Sequence, residues 1–196
     1  MQHIKMAMEG YCQAYGCYPP EYLVDEQGRP AHSWRILILP YMGYNELYRR
    51  YRFDERWNGP HNRLLAMEMP EEYCSPFANP SSGTTQYVGI AGEATVWQGT
   101  TIVRRKDMQQ TVSKPVICFV EVANSGVNWM EPRDIPLEQA MAGINVPEGR
   151  GIQSNYSDGL PAQMLPYGYE WVSVSISPED FRSKATLVVE AADRQK

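Results

Sequence analysis

The segment Val116-Ile117-Cys118-Phe119-Val120 is apolar at every position. A strand without a polar alternation has no solvent face, so this one is expected at the centre of a sheet. The other β-type runs are short: Gln86–Ala91, Thr100–Arg104, Ala162–Leu165 and Tyr169–Ile176. In the last of these, Tyr169, Trp171, Ser173 and Ser175 alternate with Glu170, Val172, Val174 and Ile176, a period of two. Pro166-Tyr167-Gly168, between the last two runs, suits a tight hairpin loop.

Before Pro70 the pattern is helical. Ile4, Met8, Tyr11 and Tyr15 recur at helical spacing, with Ala7 and Ala14 beside them. Gly16 and Pro19-Pro20 stop that helix near residue 15. No capping residue precedes it, so it is expected to continue a longer helix. Residues 17–31 read as a loop with a turn at Asp25–Gly28. Ser33 caps a short helix over Trp34–Leu39, and Glu46–Tyr51 forms another. Asn58-Gly59-Pro60 is a turn that starts a helix over His61–Met69, and Ser177-Pro178 starts the last one. Fifteen prolines and fifteen glycines account for the shortness of these elements. Helices first and strands after imply an α+β fold in which the N-terminal helix packs on an antiparallel sheet. One domain spans 1–196: the helix to 16, short helices and loops over 17–80, the sheet over 81–176, and a closing helix or tail over 177–190.

Charge and motifs narrow the function. Eighteen basic against 23 acidic residues give a net charge of −5, which argues against nucleic acid as a partner. The only basic run, Arg104-Arg105-Lys106, reads as a solvated loop. Cys12, Cys17, Cys74 and Cys118 form no CxxC pair and no zinc spacing, and their even number permits two disulfides in an oxidising compartment. Cys118 reads as a buried thiol or a bridge partner. The longest aliphatic run, Ile36–Leu39, stops at Pro40, far short of a membrane span. Gly89–Gly92 is too short for a phosphate loop. Asn155, Ser157, Asp158 and Gly159 come nearest to a calcium loop and lack its distal glutamate. No metal and no cofactor is expected.

Two segments concentrate functional side chains. FDERWNGPHN covers Phe53–Asn62 and NWMEPRD covers Asn128–Asp134, and each holds Trp, Asn, Glu, Arg, Asp and Pro. If they meet, they make a groove of aromatic rings and carboxylates suited to a sugar or a peptide. The candidate binding residues are Trp34, Asp54, Glu55, Trp57, His61, Asn62, Trp129, Glu131 and Asp134. A hydrolase using Asp54, Glu55 or Glu131 with His61 is a third reading. Adjacent carboxylates on an extended chain point opposite ways, which weakens it. The structural alternative is a clasp: Arg56 paired with Asp54 or Glu55, Trp57 as a wedge, then a turn and a helix start.

The segments MAMEGYCQAYGCYPP, HSWRILILPY, FDERWNGPHN, MPEEYCSP, TTQYVGIAG, VICFVEVANSGVNWMEPRD and SVSISPEDFR, in this order, cover most of the chain. Together they resemble the planctomycete-type secreted domains of unknown function that carry a pilin-like N-terminus. The resemblance implies a pseudopilin-like envelope protein, periplasmic or extracellular. A hydrophobic extension of the first helix would anchor it in the membrane. Self-assembly or contact with other envelope proteins would run through that helix, with a role in assembly or display and no turnover. An extracellular ligand-binding module, for a glycan among others, is the alternative. The resemblance also implies a cysteine upstream whose pairing with Cys74 would leave Cys74 free here. One departure is the closing hairpin, where Pro166-Tyr167 replaces the family's Asp-Gly. Proline cannot supply the positive φ of such a turn, so its geometry must differ. The clasp reading predicts that Trp57→Ala lowers the thermal midpoint markedly in a melting experiment. Unchanged stability with loss of a ligand would overturn it.

Overall fold

A computed structural model describes residues 1–111, 114–166 and 168–187. In chain order the elements are α1 (Gln2–Tyr15), β1 (Tyr22–Val24), β2 (Pro30–Ser33), α2 (Trp34–Leu37) and α3 (Asn45–Arg50). They continue with β3 (Thr84–Thr85), β4 (Tyr87–Ala91), α4 (Arg105–Thr111), β5 (Val116–Glu121), β6 (Val127–Asn128) and β7 (Ile135–Pro136). The chain closes with α5 (Leu137–Met141), β8 (Gly159–Leu165), β9 (Tyr169–Ser173) and α6 (Pro178–Ala185). The fold is mixed α+β, with an N-terminal helix and antiparallel sheets.

The main sheet has the order β7-β4-β5-β8-β9. All its pairs are antiparallel except β4 with β7, which run parallel at one edge. Strand β5 lies at the centre and is buried along its whole length, as its uninterrupted apolar run requires. One face of the sheet packs against Ile4, Ala7, Met8 and Cys12 of α1 and a layer of aromatic rings. The other face packs against α5 and α6, through Leu137, Ala140, Phe181 and Ala185.

A β-bulge in β5 decides which residues reach which face. Ile117 pairs with Met164 and Phe119 with Gln163, so Cys118 is an extra residue without a partner. Cys118 and Phe119 therefore both face α1, while Ile117 and Val120 face the opposite way. The Cys118 carbonyl, displaced from the ladder, accepts a 2.6 Å hydrogen bond from Trp97 Nε1. Trp97 stacks on Trp34 at 4.7 Å between centroids, and Trp34 lies 6.1 Å from Phe119.

Local chemistry agrees with the sequence at most helix ends. Gly16 terminates α1 with φ 73° and donates its N–H to the Cys12 carbonyl. Ser33 caps α2 and Ser177 caps α6. Other expectations fail. The run Thr100–Arg104 is not a strand; Thr101 and Arg104 make only single bridges, to Gln98 and Cys17. The expected helix over His61–Met69 is one 3₁₀ turn, Asn62–Leu65. The expected loop over 17–31 contains the hairpin β1–β2, whose turn is tied by Asp25 to the backbone N–H groups of Gln27 and Arg29. Helices α4 and α5 fall within 81–176, the span assigned to the sheet, and α4 begins in the basic run read as a loop. All four cysteines are free thiols, Cys12 and Cys118 buried and Cys17 and Cys74 half-buried. At the closing hairpin the Leu165–Pro166 peptide is cis and Gly168 has φ 94°. Tyr167 and the part of the expected tail over 188–190 lie outside the described residues.

Candidate functional site

The NWMEPRD loop ends inside the protein. The Asp134 carboxylate and the Arg35 guanidinium are both fully buried, and Arg35 Nη2 meets Asp134 Oδ1 at 2.5 Å. The same oxygen accepts the Gly89 N–H at 2.6 Å, and Oδ2 accepts Trp34 Nε1 at 3.0 Å. Arg35 also donates to the Tyr87 carbonyl from Nε and Nη2, and to Ser33 Oγ from Nη1. The Arg35 carbonyl accepts the Tyr73 hydroxyl at 2.7 Å. Both ions are thus surrounded by donors and acceptors, which a buried charge pair needs in order to offset its desolvation. Gly89 admits this approach because a Cβ there would collide with Trp97 and crowd the Asp134 carboxyl. Nearby, Glu21 accepts the Gly99 N–H, while burial and the Asp134 charge push its carboxyl up to about 7.

The FDERWNGPHN loop is closed by its own backbone. Asn62 is fully buried. Its Oδ1 accepts the Arg52 N–H, and its Nδ2 donates to the carbonyls of Arg52, Glu55 and Arg56. Glu55 Oε1 accepts the N–H groups of His61 and Asn62 at 3.0 and 2.5 Å. That capture caps the two amide donors at the start of the 3₁₀ turn Asn62–Leu65. His61 Nε2 lies 2.8 Å from the Arg50 carbonyl, to which it donates. The Trp57 N–H reaches the Ala31 carbonyl, and its half-buried ring packs on the core. Arg56 reaches the Pro30 carbonyl with Nη2, so the expected arginine–acid pair is replaced by acid-to-amide and arginine-to-carbonyl bonds.

The candidate residues therefore separate. Trp34 and Asp134 meet at the centre of the core. Trp129 is fully buried, stacked on Tyr73 at 6.1 Å, and donates to the Ala66 carbonyl. Glu131 pairs with Arg133 at 2.7 Å and the His61 ring with the Arg50 carbonyl, in place of the Glu131–His61 partnership that a hydrolase would need. Trp34 and Trp129 present no face to solvent, so they cannot line an open aromatic groove. Arg35, Trp97 and Glu21 complete the buried centre and went unread. The signal for Arg35 was a lone cation between Trp34 and Ile36 in an apolar run, which calls for a buried partner.

A family model described as a protein of unknown function, DUF1559, matches residues 1–135. The chain belongs to this family. No curated protein and no solved structure matches it. The DUF1559 match runs one residue past Asp134 and so contains both members of the buried ion pair.

Within the DUF1559 span an open cleft of about 400 Å³ lies between the β1–β2 turn and Phe53–Arg56. Exposed Asp54 stands at its side and His32 at its floor. Burial pushes the His32 imidazole down, against an opposing hydrogen bond to the Phe53 backbone. The imidazole Nδ1 lies 2.8 Å from the Tyr51 hydroxyl. Glu55 also borders this cleft, but its Oε1 is engaged by the two amides, so Asp54 and Glu55 do not act as a carboxylate pair.

Two outcomes follow from the buried centre. Asp134→Ala leaves the Arg35 charge unpaired and should cost about 3–5 kcal/mol in urea unfolding, whereas Arg35→Met with Asp134→Leu should recover most of it. The raised Glu21 group gives stability that is complete below its unfolded value near 4.5 and is lost as pH rises through about 7. Glu21→Gln keeps an acceptor for Gly99 and should flatten that fall in melting temperature.

Proposed function

We propose that this DUF1559 chain is the outward domain of a pseudopilin-like envelope protein of the planctomycete secreted type, acting in assembly or display without turnover. One observation carries the reading: α1 is buried against the core on one side and open on the other. Ile4, Ala7, Met8 and Cys12 are sealed against the core, while Met6 and Tyr15 are about two-thirds exposed, at 62% and 64%. A pilin-like design uses such a helix to hold a rigid sheet domain with one stripe and to meet neighbours with the other. The internal bonding of Trp34, Asn62, Trp129 and Asp134 supports a rigid body. Ligand capture by the loops 53–62 and 128–134 has less support, because their tryptophan rings are wholly or partly packed inside.

The test is expression from the natural gene in its own host, followed by cell fractionation and cross-linking through Met6→Cys. The protein is expected in the envelope fraction, with covalent dimers or higher ladders linked through residue 6. Recovery in the cytosol would overturn the proposal. Envelope protein that never cross-links would remove assembly through α1.

A further inference from the structure

A second open cleft, of about 480 Å³, lies on the opposite chemistry from the first. Its wall is built by Phe77, Asn79, Thr84, Gln86, Asn124 and Asn155, and none of its lining residues carries a charge. The volume falls within the range of small-ligand sites. Phe77 is 61% exposed at its edge. Its ring begins an aromatic row: Tyr156 stands edge-on at 5.5 Å, and Trp171 stands edge-on to Tyr156 at 5.0 Å. Trp171 is itself 39% exposed, its indole lying over Gly159, where a side chain would collide with it.

The polar groups of this wall are neither uniformly donors nor uniformly acceptors. A side-chain amide offers both, as does a hydroxyl. Asn124 and Asn155 are exposed, and their side chains make no hydrogen bond among the described residues. Asn79 uses its oxygen to cap the turn at Ser81, which leaves its NH₂ available. Behind the wall, the Gln153 carbonyl holds the Ala123 N–H at 2.7 Å, and Gln153 Nε2 is buried without an acceptor.

We infer that this cleft binds a neutral saccharide, with Phe77 as the stacking platform and the side-chain amides of Asn124 and Asn155 as its hydroxyl readers. A pyranose has apolar C–H faces, which suit the negative face of an aromatic ring, and a rim of hydroxyls that both donate and accept. An ionic ligand would lose hydration here and find no opposite charge to replace it. An apolar peptide would leave the exposed amides unanswered at their wall. The site lies away from the loops 53–62 and 128–134 and does not depend on α1.

The experiment is a titration of the ¹⁵N-labelled protein with cellobiose, maltose and N,N′-diacetylchitobiose, with a sulfated heparin disaccharide and a neutral Ala-rich peptide as controls. At least one neutral sugar should shift the side-chain NH₂ signals of Asn124 and Asn155 and the backbone signals of Phe77 and Tyr156. Phe77 is exposed, so Phe77→Ala should keep the fold and weaken that binding about tenfold by calorimetry. Asn124→Ala with Asn155→Ala should weaken it in the same direction. The inference is overturned if no neutral sugar moves these signals, if only a control does, or if Phe77→Ala binds as tightly as the parent.

Discussion

The Arg35–Asp134 ion pair joins parts of the chain that are far apart in sequence. Arg35 arrives on α2, immediately after the β1–β2 hairpin, and Asp134 arrives on the loop before β7. Between them the pair organises the Gly89 amide, the Tyr87 carbonyl, the Trp34 indole and the Ser33 hydroxyl. A buried ion pair is a poor source of net stability, since apolar replacements of similar volume often do as well. Its effect here is on uniqueness. A one-residue slip of β4 would carry the Gly89 N–H and the Tyr87 carbonyl away from the two ions.

The bulge at Cys118 has a similar specifying effect on the sheet. Regular alternation would turn Phe119 away from the tryptophan layer. The extra residue turns it back toward Trp34, and the carbonyl it displaces is taken by Trp97. Core shape and hydrogen bonding are therefore settled by the same irregularity.

Much of the fold was legible from local patterns. Strand β5 was readable because an apolar run needs no tertiary information. Helix α1 was readable from its stripe and from Gly16, although its buried stripe runs through Ala7 and Cys12 in place of Tyr11 and Tyr15. The Ser33 and Ser177 caps depend on neighbours in sequence, and both formed. What local patterns missed depended on distant partners. The expected helix over His61–Met69 stops after one 3₁₀ turn, although Glu55 caps its first two amides. The short strands β1, β3, β6 and β7 have two or three residues each, too few for a period to show. Among the candidate residues, Trp34, Asn62, Trp129 and Asp134 are under constraint, since buried Trp, Asn and Asp need specific partners. Their constraint proved to be internal, and composition alone cannot separate a buried polar network from an open one. The neutral cleft beside Phe77 left the opposite trace: asparagines and one phenylalanine scattered from 77 to 155, assembled only by the fold.

The ion pair spans 99 residues of sequence, and its consequence is temporal. A ribosome releases Arg35, Trp34 and most of the first apolar layer long before Asp134 exists. During that interval the nascent chain carries a cation with no anion to bury it and aromatic rings with no finished sheet to cover them. Strand β5 waits still longer, because its second neighbour β8 lies beyond residue 158. Long-range closures of this kind are slow and leave sticky surface exposed. Synthesis of this chain is therefore a stretch of exposure that ends only once β8 has been made, and holding chaperones have the most to bind before then.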